Sequence, residues 1–411
     1  MIKLDSKWRF RINELAIYFT ITGFILHERT PIFLSIGTVL FIAHALVNHP
    51  ILAFRSVLRQ LPYVSWFCFY VLIIISGLYS DNQIWYQKDV ALKLSCFAIP
   101  FGLSIWPPTY ERFEWILKYF IIFISIAGVL AFGNYLFNYT EINESILRSK
   151  PIPIISGINH IYFSIMLAFS TILLIIKAFD YNLTSRDWRY LIKINLPLNV
   201  IFLHVISART GLISFYVVSF IMVVMFIWQR KKVVQGFITL ATLLFLAGFA
   251  LKFVPSLNNR LINTAVDISK ARSKEDKNHY SFSMRVEGLK MGVNVIKNNP
   301  ILGVGAGDVQ DDVKQEYINQ NSKMIEVNRV MPHHQFIYSY LAAGILMPIL
   351  LLLILLVPIF QLSGELKLIY ISFATVTSLS WMFEPGLERQ IGVCFFVLFS
   401  CLINSQKRQL S

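Results

Sequence analysis

Residues 234–254 read VQGFITLATLLFLAGFALKFV, and at Pro255 the chain turns polar and stays so until Met331-Pro332-His333-His334-Gln335-Phe336, where the next apolar run begins. A helix rising 1.5 Å per residue covers the hydrocarbon core of a bilayer in roughly 17 to 25 residues, so this run reads as a membrane span. Comparable runs at 13–27, 31–48, 62–80, 90–106, 113–137, 154–178, 190–207, 211–229, 335–361, 366–382 and 389–405 bring the expected count to twelve. None alternates with period two, which excludes a membrane barrel and leaves helices. With 56% hydrophobic and 15% charged residues, the chain cannot be divided into a soluble core and surface. The expected fold is all-α, a polytopic membrane protein of one domain over 1–411, with 255–334 as its one long extracytoplasmic loop. The first run is short and no small-residue cleavage site follows it, so it reads as an anchor and not as a removed signal.

Orientation follows from the basic residues of the short loops. With the N-terminus inside, Arg55, Arg59, Arg112, Lys118, Lys177, Arg186, Arg189, Lys193, Arg230, Lys231 and Lys232 collect on the cytoplasmic side. An even number of spans returns the C-terminus to that side. The loop 255–334, the turn Ser207-Ala208-Arg209-Thr210-Gly211 and the segment Phe383-Glu384-Pro385-Gly386-Leu387-Glu388-Arg389 then share the outer face. The net charge of +14 is accounted for by this topology and by anionic lipid of the inner leaflet, with no call for nucleic acid. Cys68, Cys96, Cys394 and Cys401 all lie in apolar runs without C-x-x-C spacing and read as small buried hydrophobes. The hydropathy shows no internal repeat, which disfavours inverted-repeat transporters.

Within the polar stretch, 281–297 (SFSMRVEGLKMGVNVIK) places Met284, Leu289, Val293 and Ile296 near one helical face and displaces Arg285 and Glu287 from it, the pattern of an amphipathic helix. After Asn299-Pro300 comes Gly303-Val304-Gly305-Ala306-Gly307-Asp308. It follows a helix and lacks the spacing of a nucleotide loop, so a tight turn with close backbone approach is the better reading. Residues 311–325 are expected to form a second exposed helix, and the mixed charges of 267–278 a flexible, solvated segment.

Few residues are left to carry chemistry. Arg209 lies in a turn of a few residues between two spans; headgroup snorkelling is common for such an arginine, yet an outward one runs against the positive-inside bias and calls for an anionic partner. Arg285 alone would be an ordinary solvated residue. Together the two offer permanently charged, bidentate donors for phosphate oxygens. His333 and His334 open a span, a place where histidines are as often caps as functional groups, and either could accept the proton of a sugar hydroxyl near neutral pH. Two adjacent histidines with no carboxylate at ligand spacing do not make a metal site. Glu384, Glu388 and Arg389 form a third outer cluster, in which a structural ion pair is a commoner outcome than catalysis.

The turn S-x-R-x-G at Ser207, Arg209 and Gly211, the loop arginine Arg285, N-P-x-x-G-x-G-x-G-D from Asn299 to Asp308, and P-H-H-Q-F before a span with Gly344 eleven residues after His333 occur in an order that resembles the O-antigen ligase family of membrane glycosyltransferases. That superfamily includes lipopolysaccharide O-antigen ligases and O-antigen or exopolysaccharide polymerases. The family pattern has H-N where this chain has His333-His334. The resemblance implies a bacterial inner-membrane enzyme using no cofactor and no metal, with both termini cytoplasmic and a periplasmic site. Its donor would be a glycan on undecaprenyl or another polyprenyl diphosphate and its acceptor lipid A core or a second lipid-linked glycan. Arg209 and Arg285 would hold the diphosphate, His333 or else His334 would serve the acceptor hydroxyl, and Glu384 and Glu388 could support them. A solute transporter and a chemically inert envelope scaffold are the other classes compatible with the hydropathy; the transporter would need facing charges at mid-membrane, where only a few ionisable residues such as Lys93 and His160 occur.

Overall fold

The computed structural model describes residues 6–48, 50–148, 150–154, 157–179, 185–272, 278 and 280–407, and among these the side chains from residue 11 onward except those of 47, 48, 229, 230 and 270–272. Every regular element among them is helical. In chain order these are α1 (Ser6–Leu26), α2 (Ile32–Asn48), α3 (Pro50–Leu58), α4 (Leu61–Ser76), α5 (Gln83–Leu92), α6 (Ser95–Ile105), α7 (Tyr110–Phe137), α8 (Tyr139–Leu147), α9 (His160–Phe179) and α10 (Arg186–Ile206). They continue with α11 (Arg209–Arg230), α12 (Val233–Phe253), α13 (Pro255–Arg272), α14 (Ser281–Asn298), α15 (Val309–Asn319), α16 (Gln335–Ala343), α17 (Leu346–Gln361), α18 (Gly364–Phe383) and α19 (Gln390–Ser405).

Among the described residues, α7, α9, α10, α11, α12 and α18 are long and apolar enough to cross a membrane, while α4, α17 and α19 are apolar but shorter. The number is therefore below the twelve expected. Two of the expected spans are broken: 90–106 is divided between α5 and α6 around Lys93, and 335–361 between α16 and α17 at Gly344.

Burial sorts the apolar helices. α19 buries every residue from Ile391 to Ser405, so a helix that is apolar all round stands at the centre of the bundle. Phe395 and Phe399 of α19 pack edge-on or tilted against Phe169 of α9 and Phe373 of α18, and on Phe120 of α7 Phe395 is stacked and Phe399 edge-on, the latter pair 4.7 Å apart between ring centroids. At the other extreme, α12 is equally apolar but leaves Phe237, Ile238, Leu244 and Phe245 more than half exposed. A continuous exposed surface of that kind is stable against lipid and not against water, which makes α12 a lipid-facing edge of the bundle.

The long polar stretch is more ordered than a solvated loop. α13 runs on as a helix through Asp267, which is buried, so the flexible segment expected at 267–278 begins no earlier than 273; residues 273–277 and 279 lie outside the described residues. α15 ends at Asn319, short of the 325 expected, and buries Val313, Glu316 and Tyr317. α14 is the amphipathic helix expected, but its buried face is Gly288, Met291, Gly292 and Val295, while Leu289 is exposed. The two glycines explain the shift: a Cβ on Gly288 would stand 2.6 Å from the Val330 carbonyl oxygen and one on Gly292 2.5 Å from Pro332 Cγ, so the helix lies with bare backbone on the segment that leads to His333.

The G-x-G-x-G-D run is a packing junction. Val304 N–H donates to the Leu341 carbonyl (2.8 Å) and Ile345 N–H to the Ile301 carbonyl (3.1 Å), which clamps the run across the break between α16 and α17. The Asp308 carboxylate accepts from the backbone N–H groups of Asp81 (2.8 Å) and Asn82 (2.7 Å), just ahead of α5. Gly344 has φ +82°, and a Cβ there would overlap the Ile301 carbonyl oxygen. Gly344→Ala should therefore lower stability by about 2 kcal/mol or more. A melting curve of the purified variant in detergent that matches the parent would refute this account of the junction.

Candidate functional site

Four segments distant in sequence meet at one end of the bundle. α10 stops at Ser207, whose φ of 49° turns the chain left-handed, and α11 starts at Arg209 after only two residues. Gly211 presses the first turn of α11 against α9, since a Cβ there would lie 2.5 Å from the Ser164 carbonyl oxygen. This brings Arg209 beside the start of α9, at the N-terminal end of its own helix, where the helix dipole is also positive. α13 is tied over the same turn: Ser256 Oγ donates to the Val205 carbonyl (2.6 Å) and Ser207 Oγ to the Ser256 carbonyl (3.4 Å).

Arg285 stands one turn before Gly288, so the glycine contact that docks α14 also sets this arginine near the chain entering His333. Arg209 and Arg285 lie within each other's electrostatic reach, and both act on the buried carboxylate of Asp267, whose pKa burial raises while the two arginines lower it. Neither arginine has a side-chain hydrogen bond or an ion pair within 4.0 Å among the described residues.

His333 lies in extended chain, and its Nδ1–H donates to Glu384 Oε2 at 3.1 Å. An ionised carboxylate only accepts, so this contact puts a proton on Nδ1, and in the neutral ring Nε2 then carries the lone pair. Nε2 has no partner among the described residues, and the side chain keeps 27% of its surface open. His334 differs. Its carbonyl accepts the Tyr338 N–H of the first turn of α16 (2.9 Å), its Nδ1 is buried without a partner, and burial pushes its pKa down. The structure thus separates the two adjacent histidines into one oriented by a carboxylate and one packed against Phe336.

Glu388 is four residues from Glu384 but does not share its surroundings. It accepts from Lys93 Nζ at 2.7 Å and from Gln335 Nε2 at 3.3 Å, and Lys93 also binds Asp89. Burial pushes the Glu388 carboxyl up to about 7 against the pull of Lys93. Gln335 completes the link: its Oε1 accepts the Leu387 N–H at 2.6 Å, so the residue after the histidine pair holds the loop that carries Glu384. Tyr162 OH donates to the Gly386 carbonyl at 3.3 Å from the other side. Arg389 reaches Glu28 at 3.9 Å on an exposed face.

The sequence reading named Arg209, Arg285, His333 and Glu384, which the structure brings together. It missed Gln335, which looks like an ordinary span residue, and Asp267 and Arg260, which were lost among surface charges. His160 was noted only as an ionisable residue within a span, yet the charges of Arg260, Glu384 and Arg285 all reach it. Among the described residues no three histidine, cysteine or acidic side chains gather in a metal-binding group. The arrangement offers an anion a cationic surface and offers a hydroxyl a neutral imidazole nitrogen.

Residues 194–352 match the family model described as O-antigen ligase. That segment contains Arg209, Arg285, His333 and His334 and ends before Glu384 and Glu388. The resemblance read from the motifs is borne out over that segment. No curated protein matches the chain.

The Lys93 cluster can be tested by charge. Two carboxylates share one buried lysine, so Lys93→Met would strand both and should cost about 3–5 kcal/mol. Glu388→Gln keeps the shape and leaves Lys93 paired with Asp89. Because the folded Glu388 carboxyl sits above its unfolded value, near 4.5, its stabilising contribution is complete below that pH and is lost as pH rises towards 7. Thermal melts of Glu388→Gln should lose that pH dependence between 4.5 and 7; an unchanged slope would show that another group produces it.

Proposed function

We propose that this chain, with its O-antigen ligase segment as the premise, is a membrane glycosyltransferase that moves a glycan from a polyprenyl diphosphate, undecaprenyl diphosphate above all, to an acceptor hydroxyl, most simply that of lipid A core. The observation that carries the reading is the pair His333–Glu384 beside two arginines that have no ion pair within 4.0 Å among the described residues. One half of the site suits a proton acceptor and the other a diphosphate, and a transfer from a lipid diphosphate needs both at once.

The steps follow from those groups. Arg209 and Arg285 hold the diphosphate oxygens of the donor with bidentate, permanently charged donors. The acceptor hydroxyl hydrogen-bonds to His333 Nε2 and attacks the anomeric carbon from the side opposite the diphosphate, so the new glycosidic bond forms with inversion as the bond to the leaving phosphate oxygen breaks. The hydroxyl proton passes to Nε2. Glu384 keeps the ring in the tautomer that can accept it and stabilises the imidazolium that results. The departing polyprenyl diphosphate gains charge facing Arg209 and Arg285, where transition-state stabilisation by fixed cations is greatest. Nothing in this sequence of steps calls for a metal or a nucleotide sugar.

The proposed setting is the inner membrane, with the whole chain as one membrane unit, both termini cytoplasmic and the site facing the periplasm. α10 supports this orientation, because its start carries Arg186, Arg189 and Lys193 and its end reaches the Arg209 turn. At 21 residues that helix is about 30 Å long, enough to separate the basic cluster from the site by the thickness of a bilayer core, which supports the proposed orientation.

The test is purified protein with a polyprenyl diphosphate-linked glycan, supplied with lipid A core or without it, and products read by gel and mass spectrometry. Conjugation that requires lipid A core makes it a ligase, whereas chain growth on the lipid-linked glycan alone makes it a polymerase. His333→Ala should reduce either product by about 10²- to 10⁴-fold without loss of fold, and Glu384→Gln by less. Full activity in a folded His333→Ala variant would eliminate His333 as the base.

A further inference from the structure

Arg209 and Arg285 are not the only guanidiniums at this end of the bundle. Arg260 lies one helical turn beyond Ser256 on α13, the residue whose hydroxyl pins that helix to the α10–α11 turn, so the pin carries Arg260 to Arg209. The charge of Arg209 is felt at Arg260, and both Arg260 and Arg285 act on His160 at the start of α9. Arg260 uses Nη2 to donate to the Lys150 carbonyl at 2.9 Å, while its Nε is buried and has no partner. No carboxylate lies within 4.0 Å of it among the described residues.

Charge balance turns this placement into an inference. Asp267 acts on Arg209 and Arg285, and Glu384, bonded to His333, reaches the same corner. Among the described residues, three guanidiniums against these two carboxylates leave an excess of one positive charge in a partly desolvated corner. Burial, with Arg209 adding to it, lowers the Arg260 pKa to about 10, still well above neutrality, so the charge is not relieved by losing the proton. Like charges gathered without counter-ions are unfavourable unless an anion joins them. A diphosphate diester, with one negative charge on each phosphate, offsets that excess and supplies the anionic partner that Arg260 lacks among the described residues.

We infer that Arg260 is the third arginine of the donor subsite, and that with Arg209 and Arg285 it selects a lipid diphosphate over a lipid monophosphate. The inference rests on the lipid-diphosphate reading above and adds a specificity to it. A single phosphate can be held by two arginines, and the third is useful only when a second phosphate follows the first. The unpartnered Nε is the donor that the second phosphate would take.

The competing role for Arg260 is structural, as a clamp of α13 on the chain after α8, and Asn263 performs that role independently by donating from Nδ2 to the Ile146 carbonyl at 2.6 Å. The experiment therefore measures binding of undecaprenyl diphosphate and undecaprenyl monophosphate to the detergent-purified full chain, in the parent, Arg260→Gln, Arg260→Lys and Asn263→Ala. Arg260→Gln should weaken diphosphate binding about tenfold or more, the loss of a charge-assisted contact, and change monophosphate binding much less. Arg260→Lys should recover part of the difference by restoring the charge. Asn263→Ala should leave the ratio of the two affinities unchanged. An unaltered ratio in Arg260→Gln, or an equal fall in Asn263→Ala, would overturn the assignment while the donor reading stands. Failure of the folded parent to prefer the diphosphate over the monophosphate would remove both.

Discussion

A lysine with almost no access to solvent fixes the geometry on which the site depends. Lys93 is 1% exposed and binds Asp89 of its own helix and Glu388 at the far end of the chain. An ammonium in that position is tolerated only with carboxylates against it, and the carboxylates are tolerated only with the ammonium. The mutual requirement locks α5 to the loop between α18 and α19. Gln335 extends the lock by bonding Glu388 with one end of its amide and the Leu387 backbone with the other, and its two neighbours in sequence are His334 and Phe336. Glu384 and His333 can then face each other at 3.1 Å because the chains carrying them have been joined one layer deeper. The position of the exposed pair is a consequence of the buried one.

Glycines do the complementary work of closing distances. Gly211 against Ser164, Gly288 and Gly292 against 330–332, and Gly344 against Ile301 are each places where two backbones come closer than a side chain would permit. The first sets Arg209, the second sets Arg285 and approaches His333, and the third breaks the helix that follows Gln335. A site made from four segments of a membrane bundle needs such contacts, since packing in lipid relies on close approach where the hydrophobic effect between helices is weak.

These same features decide what could be read from the sequence. The apolar runs are governed by local composition, and so are the tight turn at Gly303 to Gly307 and the conspicuous arginine at 209. All three were legible, although composition could not show that 90–106 breaks at Lys93 or that 335–361 breaks at Gly344. The buried face of α14 was misassigned because an apolar stripe is counted in side chains, and two of the residues on this face, Gly288 and Gly292, lack them. Asp267 was assigned to a solvated segment because the charges around it are mixed. The charges that act on it, Arg209 and Arg285, lie 58 residues before it and 18 after it. Lys93 and Glu388 are 295 positions apart, and no pattern within a window of sequence relates them.

The two ends of the bundle treat charge differently, and the difference bears on where chemistry can occur. Near the start of α10, Lys177 is held by Glu114 and Glu365, Trp188 Nε1 donates to Glu114 at 2.6 Å, and Lys118 meets Asp187 at 3.3 Å. These two buried lysines are matched within the fold and cross-link α7, α9, α10 and α18, which leaves them little capacity for an outside ligand. At the opposite end Arg209, Arg260 and Arg285 outnumber the carboxylates within their reach. A folded chain that neutralises one end internally could have neutralised the other with a few acidic residues. Leaving it cationic costs stability in the empty state and lowers the free energy of any state in which a polyanion is bound or forms. In the transfer proposed above the leaving diphosphate is such a state, and it would form against these arginines.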